Sequence, residues 1–319
     1  RKTANYMKRN GIRKAVGMAY ERLTAPYDAG YSYAPPSKKE LDGQRKAVFG
    51  YMPLISIAVP AYETKVEFLD ALIAAQTYEN WELILADASE SGHVMECVEK
   101  KKKSLPGKLA DKIKYHALSN NEGISGNSNQ AICQAAGEYI ALLDHDDLLT
   151  SDALYEMVKA VNTLLEEENV RPKLLYSDED KCDEKGENFR EPNIKSEFNF
   201  DFLLSNNYIC HFLMMEAELM RKLRFRAAYD GAQDYDLILR AVADIREEEI
   251  VHVEKVVYHW RCHVLSTAGN SGSKRYAYEA GKKAVQDFLE KKGIRGLVCD
   301  TEHVGFYRIT YEPDLLTAR

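Results

Sequence analysis

Four consecutive side chains, Asp144-His145-Asp146-Asp147, follow directly on the apolar run from Glu138 to Leu143. A run of that length reads as a buried strand, so the acids emerge together at its carboxyl end, where open α/β sheets bind ligands. Carboxylates crowded in this way repel one another and are stabilised by a cation, and hard oxygen ligands of this kind suit Mg²⁺ or Mn²⁺. A metal held there would face a diphosphate. The alternative is an acidic turn that only introduces the next helix, with Thr150 or Ser151 as its N-cap.

The elements that must position this turn alternate strand and helix. Leu54 to Val59, Trp81 to Ala86, Lys112 to Leu118 and the run before Asp144 are predicted strands. Lys65 to Gln76, Val94 to Lys103 and Asn127 to Ala136 are predicted helices between them. The alternation predicts an α/β fold with a mostly parallel sheet covered by helices, similar to a nucleotide-binding unit. No Gly-x-Gly-x-x-Gly and no phosphate loop ending in Gly-Lys-Ser/Thr is present, so dinucleotide and ATP readings lose support.

Several short motifs accompany these elements. Pro60-Ala61-Tyr62 follows the first predicted strand, Asp87 ends the second, Asn121-Glu122-Gly123 precedes a helix, and Leu143 to Asp147 follows the fourth strand. Tyr176-Ser177-Asp178-Glu179-Asp180-Lys181, Gly231 to Leu237 and Tyr258-His259-Trp260-Arg261 come later. In this order and spacing they resemble glycosyltransferase family 2, over about residues 53 to 293. The resemblance implies the GT-A fold, a Rossmann-like central sheet flanked by helices, and use of nucleotide-diphosphate sugars, with UDP- or dTDP-linked donors expected.

It also assigns roles. Asp87 would accept a hydrogen bond from the imide N–H of uracil or thymine, and Pro60, Ala61, Tyr62 and Glu63 would wrap base and ribose, although Tyr62 reads equally well as core. Asn121, Gly123, His145, Arg261 and Ser266 fall on the donor-nucleotide side. Asp144 and Asp146 match the family's Asp-x-Asp, one on ribose or metal and the other on metal, with Asp147 as a third acid. His259 would complete the shell of Mn²⁺ or Mg²⁺. Cys262 and His263 raise a zinc alternative that lacks a second ligand pair.

Asp234 precedes the helical pattern Leu237, Ile238, Ala241, Val242 and is the candidate general base. Gln233 stands where the family more often has Glu. Asp178, Glu179 and Asp180, with Gln233 and Trp260, are expected on the donor-sugar and acceptor side; an exposed charged turn is the alternative for the three acids. A base beside the acceptor hydroxyl, opposite the departing diphosphate, implies single displacement with inversion. Arg261 and the metal would offset charge on the leaving group. The small, polar stretch from Leu265 to Ser273 either folds over a diphosphate or is a linker.

With 45% apolar and 29% charged residues the chain reads as globular, and no apolar segment approaches the roughly 20 residues of a membrane span. Six scattered cysteines without a Cys-x-x-Cys pair suggest reduced thiols and a cytoplasmic setting. Residues 1 to 50 carry a net charge of +7, leaving −14 for the rest, which argues against a nucleic-acid groove. Ile12, Val16, Ala19 and Leu23 form one apolar stripe on a basic helical arm. That arm either rests on the anionic inner face of the plasma membrane or packs on a protein domain.

The expected organisation is a basic arm and linker over 1–50, a catalytic domain over 51–295, and a tail over 296–319 leading to a further domain. The start at Arg1 fits a piece of a longer bacterial enzyme that builds cell-surface glycan, with a glycan or lipid-linked glycan as acceptor. A sugar nucleotidyltransferase and a catalytically silent nucleotide-sugar or partner-binding module are the rival readings.

Overall fold

The computed structural model describes residues 30–72, 76–263, 271–303 and 305–311. The apolar stripe from Ile12 to Leu23, most of the stretch from Leu265 to Ser273 with Ser266, and the end of the tail lie outside the described residues.

In chain order the elements are α1 (Lys38–Gln44), β1 (Ile55–Ala61), α2 (Val66–Leu72), β2 (Trp81–Asp87), α3 (His93–Ser104), α4 (Gly107–Ala110), β3 (Ile113–Ala117), α5 (Gly123–Gln134) and β4 (Tyr139–Leu142). There follow β5 (Leu148–Leu149), α6 (Ala153–Glu168), β6 (Leu174–Cys182), β7 (Arg190–Asn193), α7 (Phe200–Ser205), β8 (Leu213–Glu216) and α8 (Ala217–Leu223). The chain continues through α9 (Gln233–Val242), β9 (Ile250–Arg261), α10 (Ser271–Lys291), β10 (Gly296–Asp300) and β11 (Tyr307–Tyr311).

One sheet runs in the order β3-β2-β1-β4-β8-β6-β9-β5, with β7 on β6. Its first four strands are parallel, as the strand-helix alternation requires. Beyond them β8 is inserted antiparallel between β4 and β6. Strands β1 and β2 are buried along their whole length, which is why they read as continuous apolar runs. One face packs Ala131 and Ile132 of α5 and Leu237, Ile238 and Ala241 of α9. The other packs Leu69 of α2, Val94 and Val98 of α3, and Leu154, Met157, Val158 and Val161 of α6. Gly137 enters β4 where an added Cβ would lie 2.6 Å from the Leu54 carbonyl oxygen, so only glycine permits that approach to β1.

Helix α6 begins only at Ala153, after β5, and its N-cap Asp152 makes no side-chain cap bond, so the acidic stretch is not the start of a helix. Residues 296 to 311, expected to leave the domain, contain the antiparallel pair β10 and β11. Tyr307 of that pair stacks on Tyr278 and Tyr235, and Val298 is buried in the same core. Among the described residues no helix is long and apolar enough to cross a membrane.

Candidate functional site

The site lies at the carboxyl ends of β1, β2 and β4, where the acidic stretch emerges. Its first wall is the loop after β1. Pro60 and Ala61 still belong to the strand and pair with Ala86 and Asp87 of β2. Tyr62 is 46% exposed, which removes its reading as core. Glu63 adopts a left-handed backbone (φ 46) and its carboxylate accepts from the backbone N–H groups of Glu90 and Ser91, tying this loop to the one after β2. Asp87 is buried and accepts from Ser89 Oγ at 2.5 Å and from the Tyr115 hydroxyl at 2.8 Å. Before α5, Asn121 Oδ1 accepts from the backbone of Gly123 and the side chain of Asn127, and Gly123 occupies φ +75.

The four-residue stretch splits into separate roles. Asp144 is about half exposed, with its carboxylate 3.5 Å from His211 Nε2. Burial favours its neutral form, but His211 beside it prevails and holds Asp144 below the usual carboxylate range. His145 Nδ1 meets Thr64 Oγ1 at 3.0 Å. Asp146 Oδ2 lies 2.7 Å from His263 Nε2. Asp147, expected as a third acid facing the ligand, is instead fully buried, accepting from the Arg261 backbone at 2.7 Å and contacting the Tyr258 hydroxyl. Burial and the flanking Asp146 and Asp144 raise its carboxyl well above the usual range.

Three other expectations change. His259 stands apart from Asp146: its Nδ1 lies 2.5 Å from Asp180 Oδ1, and its ring packs against Tyr33 and Phe189. His263, four residues on, is the one of these two histidines that reaches Asp146. Arg261 is buried, its Nε donating to the Asp146 carbonyl at 2.6 Å and an Nη to the Glu184 carbonyl at 2.7 Å, so the guanidinium braces the loop from behind. Asp178, Glu179 and Asp180 lie inside β6 and are buried, not in an exposed turn. Asp178 accepts from Lys195 N and His252, Asp180 from Tyr31 and His259, and Glu179 alone turns to the cleft through His211.

Asp234 stands in the first turn of α9, where its carboxylate accepts from Asn207 Nδ2 at 3.0 Å and the backbone of Tyr235 at 2.9 Å. Gln233 accepts from Gly231 N, and Trp260 lies beneath the Lys181 ammonium and beside His211. Pro60, Asp144, Cys210, His211, Gln233 and Asp234 line one cleft. Sequence reading missed His211, which precedes the apolar β8 with no motif around it. Its ring stacks on Tyr258, and although burial opposes a charged ring, the neighbouring Cys210 and then the Asp144 and Glu179 carboxylates hold it well above its ordinary value. Glu179 is itself held by the buried ammonium of Lys195, 3.7 Å away.

A sheet whose strand ends gather these acids matches known proteins. The family model for glycosyl transferase family 2 covers residues 56–224, more than half the chain. The chain belongs to glycosyl transferase family 2. Among the relatives of this family 2 chain, the uncharacterized protein y4gI of Sinorhizobium fredii is 37% identical over 245 residues, 75% of this chain and 26% of that protein. The O-antigen biosynthesis protein RfbC of Myxococcus xanthus is 27% identical over 292 residues, 90% of this chain and 22% of that protein. The family 2 chain thus spans about a quarter of the length of these two relatives. The mannosyltransferase PcManGT of Pyrobaculum calidifontis, in complex with GDP-Man and Mn²⁺, aligns with a TM-score of 0.51 and 15% identity over 88% of this chain and 73% of that one. The architecture is the GT-A fold.

Proposed function

We propose that this chain is the catalytic module of a metal-dependent, inverting glycosyltransferase, moving a sugar from a nucleoside-diphosphate sugar to a hydroxyl of a bacterial cell-surface glycan. The observation that carries this reading is that Pro60, Asp144, His211 and Asp234 line one cleft. A donor diphosphate belongs beside Asp144 and an acceptor hydroxyl beside Asp234.

Asp144, Asp146 and His263 would hold the metal. Two carboxylates and an imidazole are a donor set suited to Mn²⁺, and Asp146 and His263 are already in contact, while Asp144 would leave His211 to join them. When bound, the metal neutralises charge on the leaving nucleoside diphosphate. PcManGT, which carries Mn²⁺ with its sugar nucleotide, supports this reading by analogy. Asp147 and Arg261 keep the loop in place.

Asp87 and the loop from Pro60 to Glu63 would seat the base and ribose, with uridine or thymidine expected; guanine offers a comparable N–H. Asp234 accepts the proton of the acceptor hydroxyl as its oxygen bonds to the anomeric carbon and the bond to the diphosphate breaks. Asn207 Nδ2 and the Tyr235 backbone N–H hold the Asp234 carboxylate in place for the transfer. The name of the RfbC relative supports a cell-surface glycan as product.

The reading is tested by incubating the chain with UDP-, dTDP- and GDP-sugars and Mn²⁺ and following the first sugar released to water by proton NMR. Release in the anomeric configuration opposite to the donor is expected. Release with retention would overturn the single displacement.

A further inference from the structure

A second set of ligating side chains lies away from the cleft, at the other end of β6 and β9. Glu197, His252 and Glu254 each offer one ligand atom, and these atoms all lie within 4.8 Å of one another. Both glutamates are exposed and His252 is buried, so the three converge from the surface onto one interior nitrogen.

The histidine is prepared for ligation. Its Nε2 lies 2.8 Å from Asp178 Oδ1, an oxygen that also accepts from the Lys195 backbone N–H at 2.9 Å. A carboxylate can only accept, so Nε2 carries a ring proton and Nδ1 is the nitrogen turned towards the two glutamates. Nδ1 is buried with no hydrogen-bond partner, which costs free energy in an empty site. Its nearest acid, Glu197 Oε1, stands 3.9 Å away. That is too long for a hydrogen bond; ligands of one tetrahedral ion with bonds of about 2.0–2.2 Å stand roughly 3.4 Å apart, so the exposed Glu197 side chain closes by about half an ångström when an ion binds.

The surrounding residues fix this geometry. Tyr176 stacks on the His252 ring at 4.9 Å and 14°, and its hydroxyl donates to the Ser196 carbonyl at 2.8 Å. Lys195 is tied to Asp178. The loop that carries Glu197 is therefore anchored at the two preceding residues by the same groups that orient His252. A carboxylate behind a ligating histidine is the arrangement that sets tautomer and ring direction in metal sites.

We propose that Glu197, His252 and Glu254 form a divalent-cation site, best matched to Zn²⁺, with Asp178 as the residue that orients the histidine from behind. Three protein ligands leave one position of a tetrahedral ion to water, and the mixed oxygen and imidazole set favours Zn²⁺ over Mg²⁺ or Ca²⁺. This gives Asp178 a use that the cleft does not.

Equilibrium dialysis of the full chain against Zn²⁺ tests the site, with Co²⁺ as a coloured substitute. The surface double variant Glu197→Gln, Glu254→Gln is expected to lose about one Zn²⁺ per chain and the visible Co²⁺ absorption. Asp146→Ala, which alters only the cleft, is expected to keep the one Zn²⁺ and the share of Co²⁺ absorption that the glutamate variant loses, whatever ion the cleft gives up. Equal Zn²⁺ content in wild type and the glutamate variant would overturn the proposal, as would loss of all bound Zn²⁺ and Co²⁺ absorption in Asp146→Ala alone. Neither readout depends on sugar transfer, so failure here is distinguishable from failure of the proposed activity.

Discussion

The Asp146 carboxylate and the His263 imidazole meet at 2.7 Å, joining the loop after β4 to the segment after β9. His259, only four residues earlier, is held by Asp180 and shielded by Tyr33 and Phe189. Two histidines of similar sequence context therefore carry different consequences.

Asp146→Ala and His263→Ala are expected to weaken Mn²⁺-dependent UDP binding by about tenfold or more, since each removes a proposed ligand. His259→Ala should leave that affinity nearly unchanged. It should instead destabilise the fold by about 3–5 kcal/mol, because it strips the buried Asp180 of a partner. Calorimetric titration with UDP and Mn²⁺, together with urea unfolding, separates the two effects. Equal UDP affinity in wild type and Asp146→Ala would remove Asp146 from the metal site.

Asp147→Ala should act on stability first. It leaves the Arg261 backbone N–H and the Tyr258 hydroxyl without their acceptor inside the protein. Each stranded group costs about 1–3 kcal/mol. Urea unfolding should show a lower midpoint with an unchanged slope, and a wild-type midpoint would mean that the loop re-forms its bonds elsewhere.

Much of the parallel half of the fold was legible, because buried parallel strands leave continuous apolar runs and the intervening helices leave a different period. The antiparallel insertion of β8 was not, since Leu213-Met214-Met215-Glu216 is as apolar as any buried helix turn and only its partners β4 and β6 define it. The site divides along the same line. Asp144, Asp146 and Asp234 were visible as acids at the ends of strongly patterned elements. Choosing between His259 and His263, or sorting Asp178 from Glu179 and Asp180, depends on which neighbour each side chain meets across the sheet. His211 has a role only because β8 brings it between Asp144 and Glu179.

Acid should expose the contact between Asp152 and Lys255. Asp152 is buried; burial favours its neutral form, but Lys255 Nζ at 2.7 Å and Thr150 Oγ1 at 2.7 Å prevail and lower its carboxyl below the usual value. A depressed folded value contributes stability that is fully present above the ordinary carboxylate value of about 4. That contribution is lost as pH falls through the lower folded value. In Lys255→Met the folded value rises towards the ordinary one, so the acid limb of the urea midpoint between pH 6 and 2 should be shallower than in the wild type, from a lower midpoint at neutral pH. Superimposable limbs would show that Lys255 does not hold the anion.

The most direct measurement compares sugar turnover with donor affinity in Asp234→Asn. The amide keeps size and much of the hydrogen bonding but cannot take the acceptor's proton, so turnover should fall by about 10²-fold or more. The dissociation constant for the nucleotide in Mn²⁺ should stay within the error of the wild-type value, because the proposal puts Asp234 against the acceptor hydroxyl and not the diphosphate. Near-normal turnover would contradict the assignment of Asp234 as base, and loss of nucleotide binding would place it at the metal instead.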